Sequence, residues 1–152
     1  MTAADTGHLV IGTLHTSDAP SALNRIFDSY PEERQRFVGA QLASSLLGVV
    51  CQYLLPMQGK PGLVLASELM VVNTGIAAII RERRLAQLSG LIQIGSADGM
   101  HTVDGSLLEL LLDDRIELSD ALLHSSDPDY LRQEFQKALQ QKKKGWFGRM
   151  LG

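Results

Sequence analysis

Two histidines flank a short apolar segment near the start of the sequence. His8 precedes Leu9-Val10-Ile11 and His15 follows Leu14, with threonine hydroxyls at positions 13 and 16. The charge of imidazole changes near neutral pH, and its nitrogens and the hydroxyls can hydrogen-bond a ligand. The structural alternative is that His8 packs near the surface and His15 caps a turn.

The segment between the histidines predicts a buried strand. Leu9, Val10, Ile11 and Leu14 are apolar and glycines lie nearby, a pattern typical of a central strand. In an α/β sheet, polar residues at the end of such a strand face the crevice beyond the sheet. We therefore expect residues 6–16 to form a strand that presents His15 at its carboxyl end.

The whole segment resembles a known motif. TGHLVIGTLHT, continued by Ala22, Arg25, Ile26 and Pro31, resembles the histidine box of the secretion-superfamily motor ATPases. These include the hexameric type IV pilus retraction (PilT-like, twitching motility) and type II secretion ATPases. The resemblance implies that His15 and His8 sense the γ-phosphate of ATP, with Thr13, Thr16 and Arg25 next to the nucleotide.

Two later segments extend the resemblance. Gly75–Glu82 aligns with the AIRNLIRE segment of the retraction motors and retains Arg81 and Glu82, but Ala77 and Ala78 replace an arginine and the asparagine. Because of this change, retraction, assembly and secretion ATPases all remain candidate relatives. The sequence Gly99-Met100-His101-Thr102-Val103-Asp104 matches the family's glycine-methionine-x-threonine-x-aspartate segment. The resemblance implies structural or interface roles for Glu68, Arg81, Glu82, Gly99, Met100, Thr102 and Asp104.

The predicted fold is α/β. The resemblance implies the C-terminal fragment of a RecA-like P-loop NTPase core with few strands, followed by an all-helical C-terminal region. Residues 1–72 would hold the partial core with the histidine box and a β-hairpin, 73–141 the helical region, and 142–152 a basic and aromatic tail. Helix starts are expected at Ser17-Asp18-Ala19-Pro20, at Asn73-Thr74 and near Thr102, and a capping box at Ser29–Glu32. Leu63–Val72 is expected to pair with Val49–Leu55.

The chemistry for phosphoryl transfer is incomplete in these residues. The diagnostic GxxxxGK[ST] string does not occur, since Lys60 is followed by Pro61. We expect this chain alone neither to bind ATP tightly nor to hydrolyse it, with ATP and Mg²⁺ belonging to the intact family member. No zinc set is expected, because Cys51 is the single cysteine.

Two charged side chains have structural alternatives. Arg25 either reaches a phosphate or pairs with Asp28 on the same helix face. Glu68 is the one charge in an apolar strand, and it is either functional or an exposed or salt-bridged strand residue.

The composition excludes several classes of function. A net charge of −3 and 5% aromatic residues argue against nucleic-acid binding. Neither a signal peptide nor a membrane-spanning run is visible, which predicts a cytoplasmic protein. The tail, Lys142–Leu151, either contacts a membrane surface or partner, which would place the protein peripherally at the inner membrane, or is a frayed terminus.

Two functions therefore stand side by side. The first is the C-terminal portion of a hexameric motor ATPase, in a chain that starts in mid-domain. The second is a non-catalytic assembly or interaction module that docks on a motor ATPase or a pilus platform protein. Unpaired strand edges beside Leu9–Leu14 would in either case favour dimers or larger species.

Overall fold

The computed structural model describes the backbone of residues 2–150 and the side chains of residues 3–141. Helices and a two-stranded sheet make up the described chain, so the predicted α/β class is confirmed. In chain order the elements are α1 Thr2–Asp5, α2 Ala19–Asp28, α3 Glu32–Ser45, β1 Gly48–Pro56, β2 Leu63–Val71, α4 Thr74–Glu82, α5 Leu88–Ile94, α6 Val103–Leu112, α7 Leu118–His124 and α8 Pro128–Met150.

The chain divides into two compact units. The first comprises residues 1–51 and 68–102, and the second residues 52–67 and 103–152. The predicted boundaries at residues 72 and 141 refer to the family fold and stay a prediction.

The first unit packs its helices around one apolar core. The apolar stripes of α2, α3 and α4 supply most of it, as their three- and four-residue spacing predicts. Gly39 of α3 allows close approach to α4, since a Cβ there would lie 3.3 Å from the Ile80 carbonyl oxygen. The buried residues of this core are Ala19, Leu23, Phe27, Val38, Leu42, Ala43, Met70, Ile76, Ile79, Ile80, Leu85, Leu88, Ile92 and Met100.

The second unit has its own core. Leucines of α6 pack with residues of the hairpin and with α8. Its buried residues are Leu55, Val64, Ala66, Val103, Leu107, Leu110, Leu111, Ile116, Ala121 and Leu131.

The predicted hairpin is confirmed and contributes residues to both units. Alternation places Cys51 and Leu55 of β1 on the buried side, with the even-numbered residues 64–70 of β2. The opposite side exposes Val50, Leu54, Leu63 and Leu65.

The buried strand predicted at residues 6–16 is wrong. Residues 8–16 have no regular secondary structure, and Leu9, Val10, Ile11 and Leu14 are exposed, Ile11 by 86%. A strand is stable only where a neighbour satisfies its backbone groups. In the described part of the chain the only sheet strands are β1 and β2, which pair with each other.

Helix starts are mostly as predicted, with one corrected cap. Asp18 and Asn73 cap α2 and α4 through their side chains. The capping box at Ser29 is wrong, because α3 begins after Pro31 and the Ser29 hydroxyl donates instead to the Arg25 carbonyl oxygen. Among the described residues, no helix is long and apolar enough to span a bilayer.

Candidate functional site

His8 folds back onto the end of α1. Gly7 has a φ of +90°, a left-handed conformation that favours glycine, and it turns the chain after Thr6. The His8 ring nitrogen Nδ1 then lies 3.1 Å from the Thr6 hydroxyl and 3.2 Å from the Ala3 carbonyl oxygen. This exposed arrangement agrees with the surface-packing alternative, while a γ-phosphate role for His8 stays a prediction.

His15 lies on the exposed segment that follows. Thr13 and His15 are exposed and Thr16 is half-buried. No hydrogen bond joins the His15 ring to another described residue, which argues against the alternative that His15 caps a turn. Both histidines therefore flank an irregular loop rather than a strand, and the His15 ring is accessible to a ligand.

The start of α2, directly after this loop, is held by two carboxylates. Asp18 is the N-cap, and its Oδ1 accepts a hydrogen bond from the Ser21 amide at 2.6 Å. Glu68 of β2 is buried, and its Oε1 accepts from the Ala19 amide at 2.9 Å. The exposed alternative for Glu68 is therefore wrong, because this carboxylate takes part in capping a distant helix.

Cys51 lies near the same carboxylates. Burial, followed by the negative charges of Glu68 and Asp18, raises the pKa of its thiol from 9.0 to about 11. The thiol is thus buried and protonated at neutral pH.

Arg25 is exposed on α2. It forms no ion pair with Asp28, so the predicted pairing is wrong; ion pairs in the described chain are Arg84–Glu82, Arg132–Asp129 and Lys137–Glu134. The two residues lie at neighbouring positions on an exposed face, where water competes well with such a pair. The contact of Arg25 with a phosphate remains a prediction.

The end of α4, which belongs to the family-like segment, carries three arginines, Arg81, Arg83 and Arg84. Arg83 ends the helix with a φ of 58°, and its guanidinium lies 5.3 Å from the centre of the Phe27 ring. Glu82 pairs with Arg84 at 2.7 Å, and Arg81 is exposed. The Arg83–Phe27 contact could not be predicted from the sequence, because it joins residues far apart in the chain.

The segment from Gly99 to Thr102 is the last part of the first unit. Gly99 has a φ of +80° and Met100 is buried against Gly95. Beyond them, His101 forms an antiparallel bridge with Leu69 of β2, at 2.9 and 3.2 Å. The family-like segment therefore ties the chain after α5 to the hairpin.

Gly99→Ala is expected to lower the free energy of unfolding by about 1 kcal/mol, because alanine disfavours the left-handed conformation. A Cβ at Gly99 meets nothing within 4 Å, so the cost is conformational. Urea denaturation measures it, and Gly90→Ala is the control, since Gly90 has equal space inside α5 and should gain from helix propensity. Equal losses in both variants would contradict the assignment.

Asp104 joins α6 to the turn between α7 and α8. Its Oδ1 accepts from the Ser125 hydroxyl at 2.6 Å and the Ser126 amide at 2.9 Å, and its Oδ2 from the Asp127 amide at 3.2 Å. Asp104 is buried in the first turn of α6. The aspartate of the family-like segment therefore accepts hydrogen bonds from the turn that joins α7 to α8. The structural or interface role that the resemblance implies for it stays a prediction.

Comparison with known proteins gives a consistent result. Residues 1–88 match the family model described as "Type II/IV secretion system protein". The twitching motility protein of Neisseria gonorrhoeae is 40% identical over 111 residues, which cover 73% of this chain and 30% of that protein. The type IV pilus retraction ATPase PilT of Pseudomonas aeruginosa is 38% identical over 129 residues, covering 85% and 37%.

Solved structures agree with these relatives. The crystal structure of the pilus retraction motor PilT with bound ADP is similar with a TM-score of 0.76 and 39% identity, covering 87% of this chain and 37% of that one. The ATPase DotB of Yersinia pseudotuberculosis shares the fold, with a TM-score of 0.68 at 21% identity. The chain spans about a third of the length of these relatives.

Proposed function

Since the chain belongs to the type II/IV secretion system protein family, we propose that it is the C-terminal portion of a motor ATPase that powers type IV pilus retraction, twitching motility or related secretion. The observation that carries this proposal is the match to PilT, in sequence and fold, over most of the chain. The histidine-box pattern at positions 7–16 adds chemical support.

The site residues follow from the same proposal. His15 and His8 would contact the γ-phosphate of ATP in the intact motor, with Thr13, Thr16 and Arg25 next to them. His15, Thr13 and Arg25 are exposed, which leaves them open to a ligand. In the intact motor, the phosphate-binding loop and the ligands of Mg²⁺ would come from residues other than these 152. The motor would be a homo-oligomer, a hexamer by resemblance, and would act at a pilus or secretion platform protein.

A phosphate-release assay with Mg-ATP tests the proposed division of the pocket. We expect the chain to release phosphate no faster than its His8→Ala/His15→Ala variant, because neither carries a phosphate-binding loop. Steady turnover that the double variant loses would contradict this prediction.

An interaction module is the second candidate, and one observation favours it. The apolar side chains in the segment Leu9–Leu14 are exposed, and this segment contains no charged residue. Exposed apolar segments with free backbone groups tend to pair with another chain. The partner would be a second copy, a motor ATPase or a platform protein.

Light scattering of the purified chain tests for self-association. We expect dimers or larger species, and a monomeric Ile11→Lys variant, because a charge at this exposed position disfavours apolar pairing without changing the core. A wild-type chain that stays monomeric at high concentration would argue against the second candidate.

The tail prediction concerns residues 142–152, which lie outside the described side chains. Cosedimentation with anionic liposomes should fall when these residues are removed, because basic and aromatic side chains bind such surfaces. Equal sedimentation of the full chain and the shortened chain would contradict the predicted membrane contact.

A further inference from the structure

Glu68 holds an unusual position for a carboxylate. It lies in the middle of β2, only 5% exposed, with apolar Ala66 and Met70 on the same side of the strand. A buried charge is costly unless hydrogen bonds compensate it. The Ala19 amide supplies one such bond from an element that is 49 residues away in the chain.

This bond fixes the end of the histidine-bearing loop. Ala19 is the first residue of α2 and is fully buried. His15 precedes it by a few residues, so its Cα lies within roughly 14 Å of the anchored amide even in an extended chain. Residues 8–16 have no regular structure of their own, and the anchor at Ala19 therefore limits where His15 and Thr16 can lie.

The same geometry affects how an anion could bind. A helix N-terminus ordinarily offers its free amides to phosphate. At α2, the Ala19 and Ser21 amides already donate to Glu68 and Asp18. These two carboxylates occupy the amides that could bind a phosphate, and their negative charges repel it. A phosphate therefore has to be contacted by side chains of the loop.

We propose that Glu68 is a positioning residue: its hydrogen bond to the Ala19 amide holds the start of α2 against β2 and thereby presents His15 to the nucleotide phosphate. The phosphate as the ligand rests on the proposed function. The positioning of His15 by Glu68 concerns this chain alone and is measurable without nucleotide.

The test is NMR spectroscopy on the full chain and three variants. In Glu68→Ala the Ala19 amide should exchange with solvent about tenfold faster or more, relative to the Ile80 amide of the core, because a bond to a charged acceptor is lost. The ring resonances of His15 should shift, whereas those of His124, in the second unit, should stay. In Glu68→Gln the effect should be smaller but in the same direction, since a neutral oxygen still accepts.

Leu88→Ala is the matched control for stability. Leu88 is fully buried in the same unit, so its truncation weakens the core without removing a bond to Ala19. We expect His15 to keep its resonances in this variant. Equal His15 shifts in Leu88→Ala and Glu68→Ala would reduce Glu68 to a stabilising residue and overturn the proposal.

Unchanged His15 resonances and an unchanged ratio of Ala19 to Ile80 exchange in the Glu68 variants would also overturn it. If Glu68→Ala does not fold, the comparison of Glu68→Gln with the wild type decides alone. Either failure leaves the proposed function standing, because no nucleotide is used.

Discussion

Asp104→Ala is expected to lower the free energy of unfolding by about 2–3 kcal/mol, the larger of the stability effects foreseen for this chain. The substitution removes a buried carboxylate that accepts three hydrogen bonds from residues 125–127. Hydrogen bonds to a charged acceptor contribute more than neutral ones, and the donors of this turn are only partly buried, so water replaces some of the loss.

Urea denaturation followed by circular dichroism measures this effect. Asp113→Ala is the control: Asp113 is exposed just after α6, and its replacement should change stability by less than about 0.5 kcal/mol. Asp104→Asn should fall in between, because one oxygen still accepts while an NH₂ group faces the donors. A loss below about 1 kcal/mol in Asp104→Ala would show that the turn does not depend on this carboxylate.

The Cys51 thiol is expected to react with a disulfide reagent at pH 8 about 100-fold more slowly than a thiol of ordinary pKa. Burial and the charges of Glu68 and Asp18 raise its pKa to about 11, so the reactive thiolate is correspondingly scarce. Because the pKa is raised, the rate should climb roughly tenfold per pH unit and level off only near pH 11. Restricted access slows the reaction further.

The reaction of 5,5′-dithiobis-(2-nitrobenzoic acid) with the chain measures the rate directly, since Cys51 is the single cysteine. In denaturant the same thiol should react quickly, which serves as the internal control. Glu68→Gln should accelerate the native reaction by removing one negative charge. A native rate equal to the denatured rate would mean that Cys51 is neither buried nor near these carboxylates.

Local features of the fold could be predicted from the sequence. Asp18 and Asn73 cap their helices through the backbone amides of residues only three positions on, so the sequence near each start contains the whole interaction. The hairpin is also local, because its strands alternate in burial and a short glycine-containing turn joins them. Such signals depend on few residues and are visible in a single sequence.

Features that depend on distant partners could not be predicted. The segment Leu9–Leu14 has the composition of a strand, but a strand requires a neighbour, and no described residue supplies one. The partners of Glu68 and Asp104 lie 49 and 21–23 positions away. Their burial was therefore uncertain from the sequence. The alternative that pairs Arg25 with Asp28 is wrong, because spacing on a helix permits a pair without requiring it.

The proposed site combines both kinds of residue. Resemblance to the motor ATPases selected His8, His15 and the threonines, and it also named Glu68. The structure shows that Glu68 and Asp18 accept hydrogen bonds from the first amides of α2, where the loop ends. The loop that carries these histidines is exposed and has no regular secondary structure. Its place as one part of a nucleotide pocket remains the proposal made above.

Isothermal titration of the full chain with Mg-ATP tests this account most directly. Without a phosphate-binding loop, the loop side chains contribute too few contacts for tight binding, and we predict no saturable heat at millimolar nucleotide. Micromolar affinity that is lost in His15→Ala would contradict the account, because it would mean that these residues form a complete nucleotide pocket.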